Sequence, residues 1–219
     1  MRNRKLTVQK KVPPGQILSK TFPVLSATDP PEIDLKDFRL RVFGAVEKPY
    51  SMSWEELMAL PHERKVIDID CVTHWSRIGD EWEGIPIKGI LEKASPRGSF
   101  VMEHADSVGY TTNIPMERAT ADGAMLVFGF NGKPLEPDHG GPLRAIIPGL
   151  YLWKSAKWID GLEVMTEDKP GFWEKRGYNM HGDPWKEERY WDVKEGVSSI
   201  LKRVLDVRQH KDKGNKEQQ

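Results

Sequence analysis

The chain has 219 residues, of which 38% are hydrophobic and 30% charged, and its 33 basic side chains balance 33 acidic ones. No run of 18 apolar residues occurs, which excludes an apolar membrane-spanning helix, and the zero net charge argues against a nucleic-acid-binding surface. A single cysteine excludes an internal disulfide framework and any site built from several thiolates. With no apolar export signal at the N-terminus, we expect a soluble, cytoplasmic protein with one domain.

Charge is unevenly distributed along the chain. Residues 1–20 carry six basic and no acidic side chains, and residues 202–219 carry six basic and three acidic ones. Residues 21–201 between them carry 21 basic and 30 acidic side chains. We therefore predict a domain over 21–201 with a basic N-terminal arm and a charged C-terminal tail, which are either solvated or docked onto an acidic surface.

The first part of the chain alternates between extended stretches and short helices. Five prolines between residues 13 and 31 predict an extended stretch, because proline fixes φ and blocks helix formation. Apolar and polar residues alternate at 38–42 and at 64–71, which predicts two half-buried strands. In the second of these strands the alternation places three side chains on one face: Ile67, Ile69 and Cys71.

Two short helices are indicated by their start signals. Ser53 and Glu56 form a capping box, so a helix should begin after Ser53 and end before Pro61. Pro86 opens a second helix, whose apolar stripe consists of Ile87, Ile90, Leu91 and Ala94. Both helices are short, and strands should dominate the rest of the domain.

The second half of the chain is typical of β structure. Phe100, Met102 and His104 alternate with other residues, and Asn131-Gly132 is the strongest short hairpin signal. The pattern predicts an α+β fold, a single β-rich domain with mixed or antiparallel strand pairing. The remaining strands are predicted at 124–130, 143–147 and 158–165.

A lone cysteine stands where the predicted strand at 64–71 ends and a loop begins. Cys71 is followed by the sequence VTHWSR, which contains His74 and Arg77. Positive charge near a thiol favours the thiolate, the form that binds metals and attacks substrates. Cys71 is therefore a candidate nucleophile or a candidate ligand to a metal carried by a cofactor; the plain alternative is a small buried hydrophobic residue.

Three further segments have the composition of ligand-binding loops. The segment DHGGPLR at 138–144 combines glycines that admit a close ligand with Arg144, which can hold an anion bidentately. The segment YLWKSAKW at 151–158 mixes aromatic and basic side chains, which suits a flat heterocycle with an anionic group. Thr112 and Asn113 offer a hydroxyl and an amide to a pterin. The structural alternatives are a glycine turn with a surface arginine, an amphipathic strand face and the end of a strand.

The motifs together resemble one family. No P-loop, dinucleotide-binding glycine motif, zinc-protease motif or nucleophile elbow occurs. Residues 20–191 resemble the molybdopterin domain of the sulfite oxidase family, and most of all its short bacterial and archaeal branch, which is related to the catalytic subunit of periplasmic methionine sulfoxide reductase. The matching segments, in family order, are CVTHWS at 71–76, HGGPLR at 139–144, YLWKSAKW at 151–158, GFWE at 171–174 and GDPW at 182–185.

This resemblance implies one molybdopterin, whose molybdenum has the Cys71 thiolate as its single protein ligand. His74 and Arg77 would flank the metal as catalytic groups. Animal and plant sulfite oxidases have two consecutive arginines after the cysteine, whereas Trp75 and Ser76 stand in that stretch here, which weakens the case for sulfite as the substrate. The residues expected to hold the cofactor are Phe22, Ser26, His104, Thr112, Asn113, His139, Arg144, Leu152, Trp153 and Lys154.

The implied activity is two-electron oxygen-atom transfer on a small sulfur oxyanion or an S- or N-oxide. The family's dimerisation and haem domains have no counterpart in the sequence, so we expect a monomer that passes electrons to a separate carrier. Two alternatives stay open. One is a non-catalytic module that binds or carries molybdopterin, and the other is a cofactor-free thiol enzyme with Cys71 as nucleophile and His74 as base.

Overall fold

The computed structural model describes residues 12–191; the predicted C-terminal tail and residues 1–11 of the predicted arm lie outside this range. No helix within it is long and apolar enough to cross a membrane. The helices are α1 (Trp54–Met58), α2 (Ile87–Lys93) and α3 (Met116–Ala119). The strands are β1 (Ile17–Leu18), β2 (Arg39–Gly44), β3 (Tyr50–Ser53), β4 (Glu63–Val66), β5 (Ile69–Asp70), β6 (Trp75–Arg77), β7 (Glu81–Pro86), β8 (Phe100–Ala105), β9 (Tyr110–Pro115), β10 (Met125–Phe130), β11 (Lys133–Pro134), β12 (Arg144–Ile146) and β13 (Gly161–Met165).

The strands form three sheets. The first has the order β3-β2-β13-β8-β9, in which β13 and β2 are parallel and the other neighbours are antiparallel. The second has the order β11-β10-β7-β4, with β12 also paired to β10. The third is small, with β1 parallel to β6 and β5 antiparallel to it. The predicted α+β class with mixed pairing is confirmed.

The main core joins side chains from both larger sheets and from helix α2. Burying one leucine or isoleucine side chain contributes roughly 1.5–3 kcal/mol, so a cluster of many such side chains dominates the stabilisation of the scaffold. Sheet and helix sequence periodicity therefore agree on one apolar interior. Representative members of the cluster are Leu40, Val42, Ile85, Ile87, Leu91, Leu126 and Leu162.

Several predicted local features are confirmed. Ser53 caps α1 and Glu56 reaches back to it, which completes the capping box, and the helix ends before Pro61. Asn131 and Gly132 both have positive φ, 48° and 74°, and they connect β10 to β11 as a two-residue hairpin turn. This turn chemistry gives the strands their pairing, because only residues that tolerate left-handed backbone fit it.

The single strand predicted at 64–71 is wrong. The chain forms β4 in the second sheet, where it pairs with β7, and then β5 in the third sheet, where it pairs with β6. The buried side chains Ile67 and Ile69 continue the alternation across the break. The sequence pattern therefore indicates one strand although the chain changes sheets between Val66 and Ile69.

Strand β8 is also oriented differently from the apolar face that its sequence suggests. Val101, Glu103 and Ala105 are fully buried, whereas His104 is only partly buried. Successive side chains of a strand point to opposite faces, so Glu103 and His104 cannot reach the same surroundings. Because Glu103 is acidic, a search for alternating apolar residues does not identify the face that contains it as the buried one.

Candidate functional site

A cavity of about 310 Å³ lies between the segment 22–28, the loop that follows β5, and the segments 144–158 and 172–178. This volume is in the range of small-molecule and cofactor sites. Most of its wall is apolar, and much of that is aromatic. The chemically distinctive side chains in the wall are Cys71, Arg144, Lys157 and Tyr178.

The loop 71–75 holds the Cys71 thiol at the cavity wall. β5 and β6 pair on either side of the loop, and its backbone closes through hydrogen bonds from Cys71 N to Trp75 O (2.8 Å) and from His74 N to Cys71 O (3.2 Å). His74 takes a left-handed backbone conformation to make this turn, with φ of 70°. Cys71 is 8% exposed, and its Sγ lies 3.1 Å from Thr73 Oγ1.

Arg144 places a buried positive charge behind the same wall. Its guanidinium donates hydrogen bonds to the carbonyl oxygens of Ala145, His139 and Ser155, at 3.2, 2.9 and 3.1 Å. Burial lowers the pKa of Arg144 to about 10, so the side chain stays protonated at neutral pH. A buried cation bonded to carbonyl groups keeps its capacity to attract an anion.

Glu103 lies near Arg144 without cancelling its charge at neutral pH. One carboxyl oxygen accepts a hydrogen bond from Ala156 N at 2.7 Å, and the other has no hydrogen-bond partner among the described residues. Burial raises the pKa of Glu103 to about 8, so the group is largely protonated at pH 7. The Arg144 charge therefore remains available to the cavity.

Lys157 supplies a second cation and ties the segment 22–28 to the domain. Its Nζ donates to Leu25 O at 3.0 Å, to Ser26 Oγ at 2.6 Å and to Asp138 O at 2.7 Å. Burial, and then the charge of Arg144, lowers the pKa of Lys157 to about 8. The two cations at one wall make the cavity a candidate anion site whose charge changes near pH 8.

Anion binding should weaken as the pH rises through the pKa of Lys157. The burial that lowers this pKa means that the amine loses its proton near pH 8, whereas an ordinary lysine keeps it until about 10.4. Between pH 7 and pH 9 the protonated fraction, and with it the affinity, should fall about tenfold. Sulfate titration of cofactor-free protein measures this, because sulfate keeps its charge over that range. Glu103 also loses its proton near pH 8 and then offsets the charge of Arg144, so Lys157→Met should keep part of the fall. Equal affinities at both pH values, or an undiminished fall in Lys157→Met, would contradict the assignment.

His139 lies behind Phe22 rather than in the wall itself. The two rings stack at 3.9 Å with an interplanar angle of 8°. Burial and the charges of Lys157 and Arg144 lower the pKa of His139, so its ring is neutral at pH 7. Its Nδ1 is buried without a hydrogen-bond partner among the described residues. His139 thus supports Phe22 from behind the cavity wall.

Three further expected site residues also lie outside the cavity wall. His74 is exposed, and its Nδ1 lies 2.9 Å from Gly15 O. Arg77 donates bidentately to Asp80, at 2.7 and 2.6 Å, so its charge is paired. His104 lies 3.0 Å from a Glu163 carboxyl oxygen, on the β8 face opposite Glu103. His74 and Arg77 therefore do not line the cavity in this arrangement.

Lys154, Thr112 and Asn113 belong to a buried network next to the cavity. The Lys154 amine is fully buried, pairs with Glu174 at 2.6 Å and donates to Asn113 Oδ1 at 2.8 Å. Thr112 Oγ1 and Trp153 Nε1 donate to the same Glu174 oxygen, at 2.9 and 3.0 Å. Of the segment 152–154, only Leu152 and Trp153 line the cavity. Lys154 therefore holds the segment 152–154 in place from the protein interior and does not point toward a ligand in the cavity.

The remaining expected contacts are at the cavity, and the structure adds others. Phe22, Ser26, Cys71, Arg144, Leu152 and Trp153 all line it. Lys157 and Tyr178 also line it but were not predicted as site residues, although Lys157 belongs to the aromatic and basic segment at 151–158. Glu103 and Glu174 carry no sequence signal, because nothing in a single sequence shows that an acidic side chain is buried.

The chain is similar to a known family and to several named proteins. The family described as "Oxidoreductase molybdopterin binding domain" matches residues 27–173. The uncharacterized oxidoreductase YuiH of Bacillus subtilis is 43% identical over 83% of this chain and 93% of its own length. The putative protein-methionine-sulfoxide reductase subunit YedZ1 of Azospira oryzae is 33% identical over 69% of this chain and 58% of its own length.

A solved structure shares the fold. The sulfane dehydrogenase SoxCD of Paracoccus pantotrophus superposes with a TM-score of 0.56 and 26% identity, over 63% of this chain and 40% of the SoxCD chain. The chain thus spans nearly the whole of the Bacillus relative but about half, or less, of the other two proteins. The resemblance predicted from the motifs at 71–76, 139–144 and 151–158 is confirmed.

Proposed function

The chain belongs to the oxidoreductase molybdopterin binding domain family. We propose that it removes an oxygen atom from a small S- or N-oxide, or adds one to the reduced form of that compound, at the cavity beside Cys71. The observation that carries the proposal is the placement of one thiol, one buried cation and one partly buried cation in the wall of a single cavity. The family supplies the cofactor class, molybdenum with molybdopterin. The substrate and the electron partner are the parts that we infer.

The residues present fit such a cofactor. A thiolate is a soft metal ligand, and the single cysteine of the chain lies in the cavity wall. Arg144 and Lys157 match a phosphate, and the ring of Phe22 offers a flat apolar face. Trp75 Nε1 is buried without a hydrogen-bond partner among the described residues, although the side chain lines the cavity. Such a donor needs a partner, which the polar edge of a pterin can supply.

Bound molybdenum and its pterin dithiolene supply the two-electron chemistry, and the protein supplies binding, orientation and electrostatics. Cys71 is the residue that would ligate the metal. Arg144 would hold the phosphate from behind the wall. Lys157, whose three N–H groups already have protein acceptors, would attract the phosphate through its charge while it fixes the segment 22–28 over the cavity. The apolar wall around these groups excludes water and so strengthens their electrostatic interactions.

The charges of the cavity favour a neutral oxide over a sulfur oxyanion. Arg77, the expected binding group for an anionic substrate, is paired with Asp80 and does not line the cavity. Arg144 and Lys157 are the basic residues of the wall within the described range, and the cofactor phosphate occupies both in the proposed arrangement. Tyr178 is a candidate hydrogen-bond donor to the oxide oxygen. Burial raises the pKa of Tyr178, which keeps its hydroxyl protonated.

Direct assay of cofactor content and substrate preference tests this function. Protein from a molybdate-replete host should contain about one molybdenum and one pterin per chain. With reduced benzyl viologen as electron donor, methyl sulfoxides should be reduced, whereas sulfite with ferricyanide should give at least tenfold lower kcat/KM, about 1.4 kcal/mol of transition-state preference. Faster turnover of sulfite than of any S- or N-oxide would reverse the substrate assignment.

The alternative of a non-catalytic carrier makes a different prediction in the same assay. A carrier would contain the cofactor but would show no substrate-dependent reoxidation of reduced protein. The cofactor-free thiol enzyme is disfavoured by the geometry, because the Cys71 Sγ contacts Thr73 and the His74 ring contacts Gly15. We further propose that the electrons come from a separate carrier and that the protein acts in the cytoplasm.

A further inference from the structure

Two distant segments of the chain meet on the loop that carries Cys71. Gln16 precedes β1, and its Nε2 donates hydrogen bonds to Cys71 O at 3.0 Å and to Trp75 O at 3.1 Å. The next residue continues the contact, with Ile17 N donating to His74 O at 2.9 Å. Gln16 thus joins the first and last carbonyl groups of the loop 71–75.

Arg189 completes this contact from the other end of the described chain. Its Nη1 donates to Val72 O at 2.6 Å, and its Nη2 donates to Gln16 Oε1 at 3.2 Å. The guanidinium also lies over the Tyr151 ring, 4.9 Å from its centroid. Gln16 and Arg189 are both buried, at 8% and 7% exposure. We call this pair of side chains the loop clamp.

The position of the clamp points to a purpose beyond packing. Burying a long polar side chain and ordering it is unfavourable unless its hydrogen bonds are satisfied. Here those hydrogen bonds converge on the carbonyl groups of Cys71, Val72 and Trp75. The backbone of the loop sets the direction of the Cys71 Cα–Cβ bond. A group that fixes this backbone therefore also fixes where the thiol points.

We propose that Gln16 and Arg189 are positioning residues that preorganise the Cys71 thiol for the metal of the cofactor. The proposal rests on the proposed function, in which Cys71 is the metal ligand. Neither clamp residue lines the cavity, so both act through the loop. Without the clamp, the loop would sample conformations in which the thiol is more accessible and worse aligned.

Alkylation of the cofactor-free protein tests the clamp without reference to activity. The chain has one cysteine, so each iodoacetamide adduct seen by mass spectrometry reports Cys71 alone. We expect Arg189→Met and Gln16→Ala to raise the alkylation rate about tenfold, equivalent to ~1.4 kcal/mol of loop opening. Gln16→Glu keeps an acceptor for Arg189 but places a carboxylate oxygen opposite the carbonyl groups of Cys71 and Trp75, so it should raise the rate at least as much as Gln16→Ala.

The matched control is Arg118→Met. Arg118 is a partly buried arginine whose Nη2, like the guanidinium of Arg189, donates to loop carbonyl groups, in this case those of Pro148 and Gly149 rather than any in the loop 71–75. Its replacement should destabilise the protein to a similar degree and leave the alkylation rate within twofold of wild type. An equal rise in both variants would show general loosening and would overturn the proposal.

The loaded enzyme gives the second readout. Arg189→Lys retains a donor for Val72 O, so it should restore the molybdenum content that Arg189→Met lowers, and it should shift the reduction potential measured by dye titration less than Arg189→Met does. If Arg189→Met folds poorly, Arg189→Lys and Gln16→Glu still provide the comparison. Wild-type alkylation rates in all clamp variants would refute the clamp, whereas wild-type turnover in Cys71→Ser would refute the proposed ligand instead.

Discussion

Cys71→Ser should abolish oxygen-atom transfer while the fold persists. Mutation of a residue that hydrogen-bonds a metal ligand typically lowers metal affinity or activity about 10–100-fold. Loss of the ligand itself should therefore leave less than about 1% of wild-type turnover. Serine is nearly isosteric with cysteine and can hydrogen-bond Thr73 as the thiol contacts it now. The expected change in unfolding free energy is therefore small, on the order of 1 kcal/mol. Turnover of the loaded enzyme and urea unfolding of the cofactor-free protein measure these two quantities.

His74→Asn is the matched control for this experiment. Asparagine tolerates the left-handed backbone that His74 adopts, so the turn of the loop is preserved. If Cys71 acts as metal ligand, the variant should keep most of its activity, because the His74 ring contacts Gly15 and not the thiol. A thiol enzyme with His74 as base would lose activity in both variants. Normal turnover in Cys71→Ser would rule out the ligand assignment.

The sequence predicts the fold class and the main motifs because these depend on local signals. The capping box at Ser53, the hairpin at Asn131-Gly132 and the alternation around Leu40 are set by neighbours in the chain. They require no knowledge of distant contacts. The change of sheet between Val66 and Ile69 depends on which strands are available to pair, and a local pattern does not contain that information.

The site is predictable in part for the same reason. Sequence order identifies the segments that form the cavity, including Cys71, Arg144 and Trp153. It does not show which side of a segment faces a ligand. Lys154 and Lys157 stand three residues apart in one basic and aromatic segment, yet one is buried against Glu174 and the other lines the cavity. Tertiary packing, through the turn at 152–154, decides between them.

Arginine and histidine roles show the same dependence on tertiary partners. Arg77 follows the cysteine loop closely, but Asp80 lies near enough to bind it bidentately. Arg189 is 117 residues from Val72 in sequence and nevertheless contacts its carbonyl group. Proximity to Cys71 in sequence therefore predicts a site role for Arg77 and gives no indication of the contact made by Arg189. The reason is that charged side chains bind whichever partner the fold provides.

Lys154→Met should destabilise the protein strongly, since it removes one member of a buried ion pair. Lys154 and Glu174 are both fully buried within 2.6 Å, and Lys154 also donates to Asn113 O and to Met180 O. Breaking such a pair from one side typically costs about 3–5 kcal/mol, because the other charge is left buried without compensation. Urea unfolding of cofactor-free protein should show a loss of this size.

The double variant Lys154→Met, Glu174→Gln distinguishes this structural role from a direct contact with the cofactor. Neutralising Glu174 removes the uncompensated charge, and the glutamine can still accept hydrogen bonds from Thr112 and Trp153. We therefore expect the double variant to be more stable than Lys154→Met and to recover molybdenum content in parallel. If Lys154→Met were as stable as wild type and failed only to retain molybdopterin, the lysine would be a phosphate contact, as the sequence resemblance implied. The Lys154 amine is buried against Glu174 and contacts four acceptors, so it has no free donor to turn toward the cavity. We therefore expect Lys154→Met to lose stability and the double variant to recover it.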